Sequence, residues 1–387
     1  MISVQEAIDL IAAQQVKRVG ESIPLEDSLN YYLAKPIIAS LDLPPFDNSA
    51  MDGYAILGSG PSYEIVGEIQ AGDTSHYQLN EGEAYRIFTG AKVPENCHAV
   101  IMQEKTQVEG RSVLINDTRV EGKNIRRRGE QIQQGKEVFS KGQKINPSVI
   151  GLLSSFGYSE IDIYKKPRLH LITTGDELVK PGETLKEGQQ YESNSYTLCS
   201  TLEHMGFDSS HTHVKDDLES TQIAIKEALI SSDVLLVSGG ISVGDYDFVK
   251  KALEENGVEE IFYKVFQKPG KPLYFGKTES TFVFGLPGNP ASSLVCLMIY
   301  VIPLLQRLIG SEKANPDWIH LPLSMDYSMP FDRPSFLKSQ ISADGVTILE
   351  GQGSSMLLSM AKGNALTLLE PKRAYKKGEM VKCLLMN

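Results

Sequence analysis

The sequence predicts a multidomain protein of the α/β plus β-rich class, in which a doubly wound α/β domain lies between β-rich N-terminal domains and a C-terminal β-barrel. Its length of 387 residues allows two or three domains at roughly 150 residues each. From Arg168 onward the chain alternates apolar strand, turn and helix, the pattern of a parallel sheet covered on both faces. The flanking segments instead carry short β-type runs punctuated by Gly, Pro and Asn. The expected divisions are 1–165, 166–311 and 316–387. Within the first, helical or linker parts at 1–43 and 140–165 frame a β-rich insert at 44–139.

In chain order, Ser3 and Glu6 form a capping box that starts a helix running to about Gln15. Short strands follow at 63–69, 99–103 and 112–115, then a helix at 147–156. The α/β domain opens with a strand at 169–173 and continues with helices at 194–204 and 218–230. A strand at 234–237, apolar throughout and so buried on both faces, leads to a helix at 248–255 and a strand at 281–284. Asn289-Pro290 then begins an apolar helix, with Pro at its favoured first position. The stretch 294–305 is too short for a membrane span of ~20 residues and contains Pro303, so it reads as a buried helix. Asn315-Pro316 marks a linker, and β-runs at 336–341, 346–349, 366–369 and 380–385 build the barrel.

Thirty-eight Lys+Arg against 49 Asp+Glu give a net charge of -11, which excludes the all-over basic surface of a general nucleic-acid binder. An anionic ligand must therefore meet a local basic site. Cys97, Cys199, Cys296 and Cys383 have no metal-ligand or CxxC spacing and fit inert thiols in a reducing compartment. No basic segment followed by an apolar core opens the chain, so a cytoplasmic protein with no membrane and no nucleic-acid partner is expected.

Four loops at strand ends carry the candidate chemistry. Ser238-Gly239-Gly240-Ile241-Ser242-Val243-Gly244-Asp245 follows the apolar strand and precedes a helix, where backbone N–H groups can approach a phosphate. Glycines chosen only for a tight turn are the alternative. The loop lacks GK[ST] and is no P-loop. Thr173-Thr174-Gly175-Asp176-Glu177-Leu178 should open at the same sheet edge, and with Asp245 and Asp247 up to four carboxylates can converge. Oxygen ligands of this kind suit Mg2+, unless each is a solvated turn or cap carboxylate. Lys264, Lys268 and Lys271 surround a turn stiffened by Pro269 and Pro272 and form the obvious anion site. Gly285-Leu286-Pro287-Gly288-Asn289-Pro290 is the fourth loop. In the N-terminal half, 44–54 reads as a polar loop, and Arg126-Arg127-Arg128-Gly129-Glu130 is a basic run that is either solvated or reaches an anion. His211 and His213 share a strand face without a third ligand, and no GxSxG elbow is present.

PPFDNSAMDGYA, FTGAKVPENCHAVIMQE, IRRRGE, TTGDEL, SGGISVGDYDFV, KPGKP and GLPGNPASS occur together and in order. In these motifs the chain resembles, over its whole length, the MoeA family of molybdopterin molybdenumtransferases, which is related to the E domain of gephyrin. The resemblance implies a homodimer whose MoCF/MogA-like α/β domain binds adenylylated molybdopterin. The family inserts molybdenum from molybdate into that pterin with release of AMP in a Mg2+-dependent step. The implied catalytic residues are Asp52 and Thr89, reaching in from the partner subunit, with Glu177, Lys264 and Lys268. Ser238, Gly239, Gly240, Ser242, Gly244, Lys271, Pro287 and Pro290 would bind the cofactor, and Asp217, Asp245 and Asp247 are the metal or nucleotide candidates. Arg333 and Ser354 resemble positions of less direct role.

The chain departs from the family where an RRxGED-type segment carries Asp, for here Gln131 follows Glu130. The resemblance also implies transient contact with the adenylyltransferase and with molybdoenzyme apo-proteins. Two alternatives stand beside this reading. A pterin adenylyltransferase would need only the α/β domain. A carrier or scaffold, binding as gephyrin does, would retain the pterin without turning it over.

Overall fold

The computed structural model describes residues 1–241, 248–312 and 315–386. Contacts divide the chain into two compact units, Ser22–Leu29 with Lys35–Asp162, and Met1–Glu21 with Asn30–Ala34 and Ile163–Asn387.

The smaller unit is built on one six-stranded sheet. Its strands are β1 (Gly53–Ile56), β2 (Ser62–Ile69), β3 (Glu83–Ile87), β4 (Ala99–Met102), β5 (Thr106–Glu109) and β6 (Ser112–Ile115), in the order β4-β1-β3-β2-β6-β5. The β2–β3 pair is parallel and the others antiparallel. The polar loop expected at 44–54 ends at Asp52, because Gly53 and Tyr54 open β1, a central strand with all four residues buried. A strand that short, buried on both faces, offers no alternation to read. A Cβ on Gly53 would lie 1.9 Å from the Ile101 carbonyl oxygen, so the close approach of β4 demands glycine there. A helix at Pro147–Ser155, capped by the Asn146 side chain, lies where its Pro and Asn signals place it.

The larger unit contains the α/β fold. Strands β7 (Leu169–Thr174), β8 (Ser209–Val214), β9 (Val234–Ser238), β10 (Glu259–Tyr263), β11 (Tyr274–Lys277) and β12 (Phe282–Leu286) are ordered β8-β7-β9-β12-β11-β10. The first four are parallel, and β11 and β10 extend the sheet antiparallel. Helix α1 (Val4–Ala12) carries the full capping box and buries Val4, Ala7, Ile8 and Ile11 in this core. It ends about three residues early, and Arg307 donates to the carbonyls of Ile11 and Gln14 at its end at 3.1 and 3.0 Å. Helices α2 (Asn194–His204), α3 (Leu218–Ser231) and α4 (Phe248–Glu255) cover the sheet. The apolar helix is longer than its sequence signal: α5 (Pro290–Cys296), a π-helical turn at Leu297–Val301 and α6 (Ile302–Leu308) are continuous. Pro303 cannot donate to the helical ladder, and the wide turn falls just before it. The segment Pro290–Leu308 is mostly buried inside the unit.

Strands β13 (Ile319–Pro322), β14 (Ser335–Ser342), β15 (Gly345–Ile348), β16 (Ala365–Leu369) and β17 (Met380–Leu385) form an antiparallel sheet in the order β13-β17-β16-β14-β15. A bridge between Leu323 and Val346 brings its two edges together, curling it into the expected barrel. Leu337, Val346, Leu369 and Cys383 fill one face, while Phe336, Leu366 and Leu384 join the α/β core with α7 (Leu357–Lys362) against them. The four cysteines are unpaired, with Cys296 and Cys383 buried.

Candidate functional site

In parallel register Thr173 lies opposite Ser238, and Ser238 opposite Leu286. The loops after β7, β9 and β12 therefore open at one edge of the sheet, where open α/β folds bind ligands. Gly239 has φ +105° and Gly240 φ +57°. A Cβ on Gly239 would meet Thr174 Oγ1 at 2.7 Å and the Thr174 carbonyl oxygen at 2.8 Å, and one on Gly240 would meet Val249 Cγ2 at 2.8 Å. These glycines let three chain segments converge, so their spacing reflects packing as well as any phosphate. Ser238 turns its hydroxyl inward, where it accepts from Asn194 Nδ2 at 2.9 Å. Its contribution is thus to shape. Asn194 also donates to the Gly288 carbonyl at 2.8 Å, tying α2 to the β12 loop. Ser242, Gly244, Asp245 and Asp247 lie outside the described residues.

Glu177 is exposed after the β7 turn. Gly175 makes this turn possible at φ +146°, and its backbone lies so close that a Cβ would be 3.0 Å from Glu177 Oε2. Asp176 Oδ1 accepts from the Asp216 amide at 3.3 Å. Asp217 serves as the N-cap of α3, accepting from the Ser220 amide at 2.8 Å. That hydrogen bond lowers its pKa, so the carboxylate stabilises the fold above the unfolded value near 4 and the benefit fades as the pH falls through the lowered native value. Among the described residues no three His, Cys, Asp or Glu side chains come together as a metal site. We expect Asp217→Ala to lower the thermal midpoint by roughly 2–4 °C, the loss of one cap, with or without added Mg2+. An unchanged midpoint without Mg2+, together with loss of any rise that Mg2+ gives the wild type, would make Asp217 a ligand.

The lysine loop is fixed from below. Buried Gln267 donates to the carbonyls of Pro269 and Gly270 at 3.0 and 3.2 Å and accepts from the Tyr300 hydroxyl. At Gly270, φ +85°, a Cβ would lie 2.5 Å from Cys296 Sγ. Lys264 Nζ sits 4.6 Å from the Tyr263 ring centre and Lys268 Nζ 3.3 Å from that of Phe331. Burial lowers the Lys268 pKa, and the guanidinium of Arg333 lowers it further. Asp332, paired with Arg333 at 3.2 Å, acts in the opposite sense, so a carboxylate accompanies these two cations. Lys271 is exposed. Pro287 is buried, its carbonyl accepting from Ser293, and Pro290 is the first residue of α5. Asn289 makes no side-chain cap there. It donates instead to Ser354 Oγ at 3.2 Å, and the Ser292 amide donates to the Ser354 carbonyl at 3.2 Å.

In the smaller unit Asp52 and Thr89 form a pair: Asp52 Oδ1 accepts from both the amide and the hydroxyl of Thr89 at 2.8 Å. The bonds lower the Asp52 pKa, with a further pull from Arg86. The basic run is partly neutralised. Arg127 pairs with Asp47 at 2.7 Å and Arg128 with Asp42 at 2.5 Å, while Glu130 accepts from the Arg127 amide. His211 and His213 bracket the Thr173 hydroxyl at 2.9 and 3.1 Å. Asn194 and Gln267 escaped the sequence reading, because a buried amide carries no motif.

Three family profiles match in order: the MoeA N-terminal region (domain I and II) at residues 2–157, a probable molybdopterin binding domain at 170–307, and the MoeA C-terminal region (domain IV) at 321–386. A curated protein of Staphylococcus aureus, named molybdopterin molybdenumtransferase, is 32% identical over 99% of this chain and 95% of its own. One of the same name from Staphylococcus epidermidis is 31% identical over the same shares. Two crystal structures of a molybdopterin biosynthesis MoeA protein from Pyrococcus horikoshii cover the whole chain, with TM-scores of 0.82 and 0.85 at 29% and 26% identity. They cover 99% and 100% of their own chains. Similarity of this extent, across all three regions and the strand-end loops just described, shows that the chain belongs to the MoeA family.

Proposed function

We propose that the chain is a molybdopterin molybdenumtransferase of molybdenum cofactor biosynthesis, acting on adenylylated molybdopterin and molybdate. The observation that carries the reading is full-length similarity to enzymes of that name, in a chain that keeps its glycine, acidic and lysine loops at strand ends. The three-part division at 1–165, 166–311 and 316–387 belongs to the same reading.

Two bond changes make up the reaction. Water attacks one phosphorus of the pyrophosphate, and the bridging P–O bond breaks to leave AMP and a pterin phosphate. The two dithiolene thiols form Mo–S bonds as two Mo–O bonds of molybdate break, and the thiol protons, with two from solvent, leave with those oxygens as water. Gly239 and Gly240, with Ser242 and Gly244, would cradle the phosphates by their backbone. Lys264 and Lys271 would neutralise their charge, and Lys268 with Arg333 would hold the oxyanion. Glu177 would orient the attacking water, and Asp52 with Thr89 would enter from the partner subunit of a homodimer. Preorganised charge of this kind stabilises the transition state without a covalent enzyme intermediate. Mg2+ would supply charge neutralisation on the pyrophosphate. Its ligands would include Asp245 and Asp247.

The test is AMP release from purified adenylylated molybdopterin, with and without molybdate and with and without Mg2+. Release that requires both supports the enzyme. Tight retention of the pterin with no AMP released would make the chain a carrier.

A further inference from the structure

Lys338 occupies a position where the sheet face asks for an apolar residue. It lies on β14 opposite Leu366 of β16, on the face that also carries Phe336 and Leu384, and it is fully buried. An ammonium so placed is costly unless its protons are used. Lys338 Nζ donates to the carbonyls of Gly351 and Gly353 at 3.1 and 2.6 Å. No carboxylate is bonded to it among the described residues. The same turn is gripped twice more. Gln352 Oε1 accepts from the Lys338 amide at 3.0 Å, and its Nε2 donates to the Lys338 carbonyl at 2.9 Å. Ser359 Oγ donates to the Gly351 carbonyl at 2.6 Å.

The turn leads directly into Ser354, whose carbonyl and hydroxyl hold the Ser292 amide and the Asn289 side chain at the mouth of β12. A chain of contacts thus runs from a buried ammonium to the loop after β12. We propose that Lys338 is a positioning residue: by clamping the turn 351–353 it sets Ser354, and through it Asn289 and the start of α5, for binding of the oxyanion substrate. The proposal rests on the functional reading above.

Burial pushes the Lys338 pKa from 10.5 down to about 8. Few other charges face it. Strands β15 and β16 carry no titratable side chain, Lys382 of β17, Lys362 of α7 and Glu350 of the turn are exposed, and Cys383 lies on the opposite face of the sheet. Because the folded value is below the unfolded one, the unfolded chain holds this proton more tightly, and raising the pH through about 8 to 10.5 favours the folded state. The clamp responds in the opposite sense, since a neutral amine is a weaker donor than an ammonium. The first effect follows from burial alone, and the second reports the clamp.

The experiment compares the wild type with Lys338→Met by hydrogen exchange of the full-length free protein, and by KM for sodium molybdate and kcat. In the variant, exchange of the amides that hold the turn, Ser292 on the Ser354 carbonyl, residue 338 on Gln352 Oε1 and Leu349 on the residue 338 carbonyl, should rise about tenfold and KM about tenfold, with kcat nearly unchanged. In the wild type the same amides, corrected for intrinsic rates, should lose protection above pH 8 while global stability relative to the variant rises. Unchanged exchange and KM, or a pH response shared by the variant, overturns the proposal. Should Lys338→Met not fold, the wild-type series decides: protection of the Ser292, Lys338 and Leu349 amides that stays constant from pH 7 to 9.5 overturns it. An intact exchange difference with no wild-type turnover supports the clamp and overturns the functional reading instead.

Discussion

Gly239→Ala is expected to cost about 2–6 kcal/mol of stability and to abolish pterin binding. The backbone there has φ +105°, a conformation that costs a non-glycine residue about 1–3 kcal/mol. The added methyl would also lie 2.8 Å from the Thr174 carbonyl oxygen. That oxygen belongs to the end of β7 and cannot swing aside like a side chain, so relief requires the β7 and β9 ends to part, at roughly 1–3 kcal/mol for overpacking. Parting them also separates the TTGDEL loop from the glycine loop, which is why binding should fail together with stability. Gly288→Ala is the internal control. Its Cβ would sit 3.6 Å from Gly239 Cα without a positive φ, and its cost should stay below about 1 kcal/mol. Denaturant melts of both variants check the ranking, and equal midpoints would contradict this account of the turn.

The α/β framework was legible because parallel strands buried on both faces read as uninterrupted apolar runs. Val234–Ser238 is such a run, and α2 and α4 fall where their patterns place them. The antiparallel extension was not legible. β10 and β11 mix Glu, Tyr and Lys with their apolar residues, and the sequence signal there was the lysine loop between them. The site was legible in its loops and hidden in its pairings. Asp52 with Thr89 are 37 residues apart, and Lys268 with Arg333 are 65 apart. Each is recognisable alone as a polar residue in a turn, but only the fold shows that one hydrogen-bonds or repels the other. Lys338 is the sharpest case. A lysine in a strand pattern reads as solvent-facing, and the carbonyls that make its burial tolerable come from a turn 13 to 15 residues later.

Glu177→Ala should leave the fold intact and lower the rate of AMP release by about 10²–10⁴-fold, the range over which a positioned general acid or base acts. Its main chain is held by the Gln190 amide at 2.9 Å, and the side chain makes no hydrogen bond among the described residues, so truncation removes chemistry with little packing. Stability should change by no more than about 0.5 kcal/mol. Gln131→Asp, which adds a negative charge after Glu130, should change the rate far less. Gln131 is exposed and is tied to its surroundings by its amide, which donates to the Leu43 carbonyl at 3.0 Å. A greater loss in Gln131→Asp than in Glu177→Ala would move the acidic centre from the β7 loop to the segment after the arginines. The kinetic form separates two roles for Glu177 itself. If kcat falls while KM for molybdate holds, the carboxylate acts in the transition state, whereas a rise in KM alone would mean that it only helps to seat the substrate.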